Sequence, residues 1–466
     1  MWPGLLSNNR KKIAGDRYYD YRHGAQLKKL VLCFLFLYLN ADATPHSLVE
    51  EFTLKNGLKV LFLEEHKAPI ATFQVWYRVG SMDEPVGKTG LSHMMEHMMF
   101  KGTKKVGPKE FSRIVQRNGG IDNAYTTQNT TAFYQNFAAD RLELSLQLES
   151  DRMQNLVLAE KEFSSERQVI KEERRMRYED NPVHAVVEEM RAAAFKAHPY
   201  HWPVIGWMDD IDRISLQDIK DWYLSHYVPN NAFLVVAGDI QPKIFIKKIK
   251  KYFEAIPTRP VTAPYVIKEP TQKGERKIYL KKEAKLPFVF VGYHTPRHVH
   301  PDSFVLEVLA TILSGGKSSR LYQTLVHTRQ LAAFAEGAYE RIARDPNMFY
   351  VYAEVLPGIA TDKVEQALYE EIEKLKTAAV ASEELQKAKN QLESDCIQSQ
   401  DSIFSQAAIL GSYEACSSWK DWEKYLPGIQ AVTAAEVQRV AQLYLTEDNR
   451  TVGILIPQAG REGIKQ

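Results

Sequence analysis

Cysteine is scarce: three thiols in 466 residues, at Cys33, Cys396 and Cys416. That is too few for a disulfide-stapled scaffold, and none has a neighbour at thiolate-zinc spacing, so Cys396 and Cys416 read as structural, either paired or simply buried. An excess of one charge is missing as well. Lys and Arg number 60 against 58 Asp and Glu, a formal net charge of +2, which gives no electrostatic case for a nucleic-acid partner. No low-complexity tract interrupts the chain, and 44% hydrophobic with 25% charged residues is a globular composition. The apolar run from Leu30 to Leu39 is about half of the roughly 20 residues that cross a bilayer, so no stable membrane span is expected.

What is present around that run is a leader pattern. Lys28 and Lys29 precede it and Ala41-Asp42-Ala43 follows it, which predicts a secretory signal peptide over residues 1–43, cut after Ala43. Asp16 and Asp20 argue against a mitochondrial transit peptide. Removing the leader takes Cys33 away and leaves the rest close to neutral.

The remaining length suits two domains. "VEEFTLKNGLKVLFLEE" is a pair of alternating apolar runs around Asn56-Gly57, a strong hairpin signal. "IATFQVWYRVG" is a third strand, Leu142 to Tyr178 is helical by pattern, and "NNAFLVVAGDI" is a buried strand. A proline-rich aperiodic stretch from Ile256 to Gly274 contains the linker, 258–272. Beyond it, strands, helices and strands begin again. Residues 214–240 and 432–457 share a capped helix, a late tyrosine, an Asn-bearing turn and a closing strand, so the expected architecture is a duplicated α+β domain, 44–257 and 273–466.

The chemistry concentrates in "GLSHMMEHMMFKGT". On a helix, His93 and His97 lie one turn apart on one face with Glu96 beside them, so two imidazoles can share an ion while a carboxylate faces its open side. A catalytic zinc needs three protein ligands, a water and a base. Glu96 is the candidate base, Met94, Met95, Met98 and Met99 are packing, and Gly102 is a helix stop. The order His-x-x-Glu-His is the inverted zincin motif. The third ligand is sought in "SSERQVIKEERRMRYEDNP". Glu166 and Glu173 are two turns apart on one face, with Val169, Ile170 and Met176 beside Glu173, while Glu172 sits more than a quarter turn away. Glu173 is therefore chosen as ligand and Glu166 as a carboxylate that orients a ligand.

These motifs, together with "GGIDNAYTTQNTTAFYQNF", "VGYHTP" and "SGGKSSRLYQTLV", resemble the pitrilysin/insulinase family of zinc metallopeptidases, the inverzincins, and in particular its short members akin to the mitochondrial processing peptidase. The resemblance spans residue 50 to the C-terminus. It implies two homologous α+β domains, each a mostly antiparallel sheet packed with helices, forming half of a clamshell that closes on a peptide. It implies one Zn²⁺ per chain on His93, His97 and Glu173, with Glu96 activating the water. It also implies that Asn123 and Ala124 bind the substrate main chain, pairing that reads few side chains.

One departure matters. Where family members that complete the active site carry an arginine and, seven residues later, a tyrosine, this chain has Val326 and Ala333, which donate no side-chain hydrogen bond. Losing one preorganised donor typically costs about 10² to 10³ in turnover. The expectation is a heterodimer whose homologous partner subunit brings the pair, ahead of an active homodimer or a noncatalytic scaffold subunit. Arg329, Tyr322 or Tyr339 would be substitutes, but their spacing does not favour it. His294, His298 and His300 read as a strand end and loop. A cleavable leader on a short member of this family points to the bacterial periplasm.

Overall fold

Asn56 and Gly57 do turn the chain. In this computed structural model, which describes residues 49–261 and 266–458, β1 (Val49–Thr53) pairs antiparallel with β2 (Lys59–Glu64). Gly57 takes a left-handed φ of 81°, which its missing Cβ allows. Asn56 does something its sequence context hides: its buried Nδ2 donates to the carbonyls of Phe253 at 2.7 Å and Ile256 at 3.1 Å. The expected leader, 1–43, lies outside the described residues.

The first sheet adds β3 (Ile70–Tyr77), β4 (Ile121–Thr126), β5 (Thr131–Ala138) and β6 (Ala232–Gly238) in the order β1-β2-β6-β3-β5-β4. All seven residues of β6 are buried, because this strand sits inside the sheet with both faces covered, where a continuous apolar run is needed. β4 forms one edge and pairs only with β5. The helices among these strands include α1 (Leu91–Met98), α2 (Glu110–Arg117), α3 (Glu143–Asn155) and α4 (Glu160–Arg174). The predicted continuous helix over Leu142 to Tyr178 is thus broken after Asn155. Leu156 leaves it to form a β-bridge with Thr103, and the Val157 N–H donates to Gly102 O at 3.0 Å. The break lets α4 run back along α1.

The second sheet holds β7 (Arg276–Glu283), β8 (Phe288–Thr295), β9 (Ala332–Tyr339), β10 (Asn347–Val355) and β11 (Arg450–Gln458), ordered β7-β11-β8-β10-β9. With β1 set aside, the two sheets have one topology: first strand, last, second, fourth, third. In each, the first strand runs parallel to the last and the other pairs are antiparallel. The repeat extends to side chains. Ser215 and Thr433 form capping boxes with Asp218 and Glu436. Asn231 Nδ2 donates to His226 O at 2.9 Å, and Asn449 Nδ2 to Tyr444 O at 2.7 Å. Two such α+β domains make up the chain.

The halves exchange helices. α5 (Pro182–Ala194), from the first half, packs on β7, β8 and β11 of the second sheet. A Cβ on Gly453 would lie 2.9 Å from Met190 Cβ, so the approach there requires glycine. In return the Ile403–Cys416 helix lays Ala407 and Leu410 on Trp76 and Phe233 of the first sheet. A Cβ on Gly411 would fall 2.1 Å from Trp76 Cε2. Between the halves, residues 257–261 and 266–274 form neither helix nor strand. Glu269 nonetheless ties this stretch down by accepting the N–H groups of Lys196, Ala197 and His198 at 2.7, 2.9 and 2.9 Å. Cys396 and Cys416 are unpaired thiols, the first buried and the second half-buried. No helix among the described residues is long and apolar enough to cross a membrane.

Candidate metal centre

α1 starts under constraint. Gly90 has a φ of 94°, and a Cβ there would meet Ile205 O at 2.5 Å. The N–H groups of Gly90 and Ser92 both donate to the buried Glu84 carboxylate at 2.7 Å, an acid where the helix dipole favours one. Met94, Met95, Met98 and Met99 are fully buried against the first core, so the methionines anchor the helix while His93, Glu96 and His97 face the other way. The helix stops at Met98, before the predicted Gly102, which with φ 99° turns the following loop.

His93, His97 and Glu173 meet across α1 and α4. One donor atom from each lies within 4.8 Å of the others, and among the described residues this is the single His, Cys, Asp or Glu cluster of that kind. Glu173 Oε2 is 3.6 Å from His93 Nε2 and 3.5 Å from His97 Nε2. Those separations are long for direct hydrogen bonds but fit a shared tetrahedral ion: bonds of ~2.1 Å give a tetrahedral edge of about 3.4 Å. The donor set therefore suits zinc. Burial and the neighbouring His97 push His93 down to about 3, so this imidazole is neutral, as a ligand must be. Burial opposes ionisation of Glu173, but His97, His93 and Arg177 outweigh it and hold the carboxyl at about 2. Burial likewise opposes charge on His97, yet Glu166 and Glu173 lift it to about 9.

Around this trio stand residues that the sequence reading placed and others it missed. Glu166 Oε1 lies 3.9 Å from His97 Nδ1, and Glu166 also pairs with Lys101. Glu172 turns outward to Arg175, which agrees with choosing Glu173. The supporting residues need correction: Ile170 is buried, but Val169 and Met176 are 48% and 64% exposed. Val169 lies on the outward edge of α4, and Met176 lies beyond Arg174, where the helix continues as a π-helical turn, Arg175–Glu179, that alters the spacing. Arg177, one turn after Glu173, donates to its Oε1 at 2.8 Å. Lys101 and Arg177 both stand four residues from a site residue, a spacing visible in the sequence. Thr126 gave no such signal. It closes β4, and its hydroxyl donates to Glu96 Oε2 at 2.6 Å. Burial raises the Glu96 carboxyl above its ordinary value, against the Thr126 hydrogen bond and the His97 charge.

Asn123 and Ala124 share β4 with Thr126, so the edge strand runs beside the metal helix. Asn123 is exposed, and its Oδ1 accepts the Ala124 N–H at 2.9 Å. Val326 packs on the second core from a π-helical turn, Tyr322–Thr328, and Ala333 lies on β9. Two of the substitutes that spacing did not favour are otherwise engaged: Arg329 pairs with Glu370 at 2.6 Å, and the Tyr339 hydroxyl donates to Pro296 O at 3.0 Å. The three later histidines are structural. His294 contacts Ala194 O, His298 bridges Ala343 O and Ser417 Oγ, and His300 accepts the Asp302 N–H.

Comparison with known proteins places this geometry. Residues 59–206 match the family model "Insulinase (Peptidase family M16)", and residues 213–392 match "Peptidase M16 inactive domain". The chain is 34% identical over 413 residues to the zinc protease PqqE of Helicobacter pylori, covering 88% of this chain and 93% of that one. It is 30% identical over 400 residues to the uncharacterized zinc protease ML0855 of Mycobacterium leprae, covering 85% and 89%. Among solved structures, a protease from Helicobacter pylori superposes with a TM-score of 0.84 at 33% identity, over 88% of this chain and all of that one. The periplasmic protease PqqL of Escherichia coli shares the fold, with a TM-score of 0.74 at 18% identity, over 88% of this chain and 48% of that one. The fold, the convergent His93, His97 and Glu173, and relatives matched over nearly their whole length lead to one assignment: the chain belongs to the insulinase family of peptidases, family M16.

Proposed function

We propose that this chain is the catalytic subunit of an exported zinc endopeptidase acting on peptides or unfolded segments, with a zinc-binding domain at 44–257, a linker at 258–272 and a second domain at 273–466. One observation carries the reading: three convergent donors at zinc separations with a buried carboxylate, Glu96, beside them on the same helix. His93, His97 and Glu173 would hold the ion. When bound, Zn²⁺ polarises the scissile carbonyl and lowers the pKa of a coordinated water toward ~7. Thr126 fixes one oxygen of Glu96, and the other takes the proton of the attacking water and passes it to the leaving amine. Glu166 orients His97, and Asn123 and Ala124 on the edge strand bind the substrate main chain.

The residues Val326 and Ala333 support a heterodimer in which a homologous subunit supplies the oxyanion donors. The periplasm is the proposed compartment. The test is Glu96→Gln in the assembled enzyme, which abolishes cleavage of a quenched peptide and leaves one zinc per chain. Retained cleavage refutes the role of Glu96. The rival, a noncatalytic subunit, draws on the matched description of residues 213–392 as an inactive domain. It predicts less than about a tenth of an equivalent of zinc after metal-replete purification, where the catalytic reading predicts one.

A further inference from the structure

The helix Pro242–Phe253, on the far side of the first core from the exchanged helix, has a face that stability does not explain. Phe245, Ile246, Ile249 and Phe253 are buried. Lys243, Lys247, Lys250 and Lys251 are exposed at i, i+4, i+7 and i+8, one stripe of the helix surface. None of these four forms an ion pair with a described residue; the pair on this helix belongs to Lys248, which reaches Glu143 of α3 at 2.8 Å. Lys251 instead lies 5.2 Å from the centre of the Tyr252 ring. Lys250 and Lys251 occupy the last turn, where the helix dipole favours cations. Lys243 stands in the first turn, where the dipole disfavours them and no acid compensates. Beside the stripe, the Lys248 hydrogen bond, the Tyr252 hydroxyl and the Lys251 charge hold the Glu143 carboxyl below its ordinary value against the opposing effect of burial. The β1–β2 turn is bonded to the helix end through Asn56. Within the stripe stands Ile244, 54% exposed.

We propose that this helix is a docking face for an anionic lipid surface. The apolar face of this helix is committed to the core, so it does not insert as a free interfacial helix does. Its outer lysines form a basic patch of the kind drawn to anionic headgroups at about 1 kcal/mol, or roughly fivefold, per lysine near the surface, with exposed Ile244 beside them. Lysine is a compact point charge suited to a diffuse anionic plane. A nucleic-acid face would use arginine forks and stacking aromatics, and the exposed side of this helix has neither. The helix end is bonded to the β1–β2 turn, at the opposite edge of the first sheet from β4, so docking leaves that edge strand open.

Sedimentation with vesicles tests this, using the chain from Thr44, which is the form left by the expected leader cleavage and contains the whole compact unit. Binding to phosphatidylcholine vesicles containing phosphatidylglycerol should exceed binding to pure phosphatidylcholine at least tenfold at ~0.1 M salt. It should collapse at ~1 M, as the screening length shrinks from about 10 Å to about 3 Å. Lys243→Glu, Lys247→Glu, Lys250→Glu and Lys251→Glu together should lower anionic-vesicle binding by ~30-fold or more, at roughly fivefold per lysine before losses. The matching lysine-to-glutamine set, which adds no repulsion, should lower it with an unchanged melting temperature. Ile244→Asn should weaken it several-fold. Equal binding to both vesicle types, binding that survives the lysine changes or Ile244→Asn, or tighter binding to duplex DNA than to anionic vesicles would each overturn the proposal.

Discussion

Thr126→Val isolates the one site contact that comes from a strand and not from α1 or α4. Valine matches threonine in shape and keeps the β-branch that suits β4, so the change removes a donor without opening a cavity. What is lost is the 2.6 Å bond from the Thr126 hydroxyl to Glu96 Oε2. Hydrogen bonds to charged groups are worth about 1.5–3 kcal/mol. If that bond holds the carboxylate on line in the transition state, the loss appears in kcat. At ~1.4 kcal/mol per factor of ten, it predicts a fall of roughly 10- to 100-fold. The assay is turnover of a quenched peptide by the assembled enzyme, with zinc content measured on the same sample. KM should change little and zinc should stay at one per chain, because Thr126 touches none of His93, His97 and Glu173. Thr126→Ser, which keeps the donor, should recover most of the rate. A Thr126→Val enzyme with kcat within twofold of the parent and full zinc would refute the idea that Thr126 positions the base.

Other perturbations test other parts. Glu166→Gln should weaken zinc binding by about 10- to 100-fold, the usual effect of losing an orienting partner, and Glu173→Gln should weaken it more; competition with a chelator ranks them. Gly411→Ala should lower the melting temperature by a few °C, since a Cβ placed 2.1 Å from Trp76 Cε2 forces overpacking worth about 1–3 kcal/mol. Glu269 has a carboxyl held below its ordinary value: burial opposes this, but the N–H groups of Ala197, Lys196 and His198 prevail. A depressed acid contributes stability above its unfolded pKa and loses it as pH falls through the folded one. The melting-temperature gap between the parent and Glu269→Gln should therefore be full at neutral pH and close below the ordinary value of 4.5; a gap that persists there contradicts the assignment.

The helix that carries His93, Glu96 and His97 was legible because the three fall within five residues, and helical spacing alone fixes their faces. The duplication was legible because the capping boxes at Ser215 and Thr433 and the Asn231 and Asn449 turns are local devices that survive in sequence. Glu173 does fall beside His93 and His97, as its spacing from Glu166 led one to expect, but its apolar neighbours Val169 and Met176 are exposed, since an Arg- and Glu-rich helix gives a weak hydrophobic stripe. The break after Asn155 was invisible because its cause, the bridge from Leu156 to Thr103, joins distant parts of the chain. Thr126 was hidden for the same reason: nothing near it in sequence says that the end of β4 lies under Glu96. Lys101 and Arg177 could have been found from their i+4 spacing to His97 and Glu173.

The traded helices also decide what a cut would do. Trp76 and Phe233 depend on the Ile403–Cys416 helix for cover, and Gly453 was left bare of a side chain to admit Met190 of α5. Neither half can close its own surface. A protease that nicks the connector near residues 257–274 would leave two fragments that stay together through gel filtration and melt in one transition. Genes encoding the halves separately would yield insoluble products until expressed side by side. The duplication thus produced a single interlocked body in which the second half is a structural requirement of the half that carries His93, His97 and Glu173.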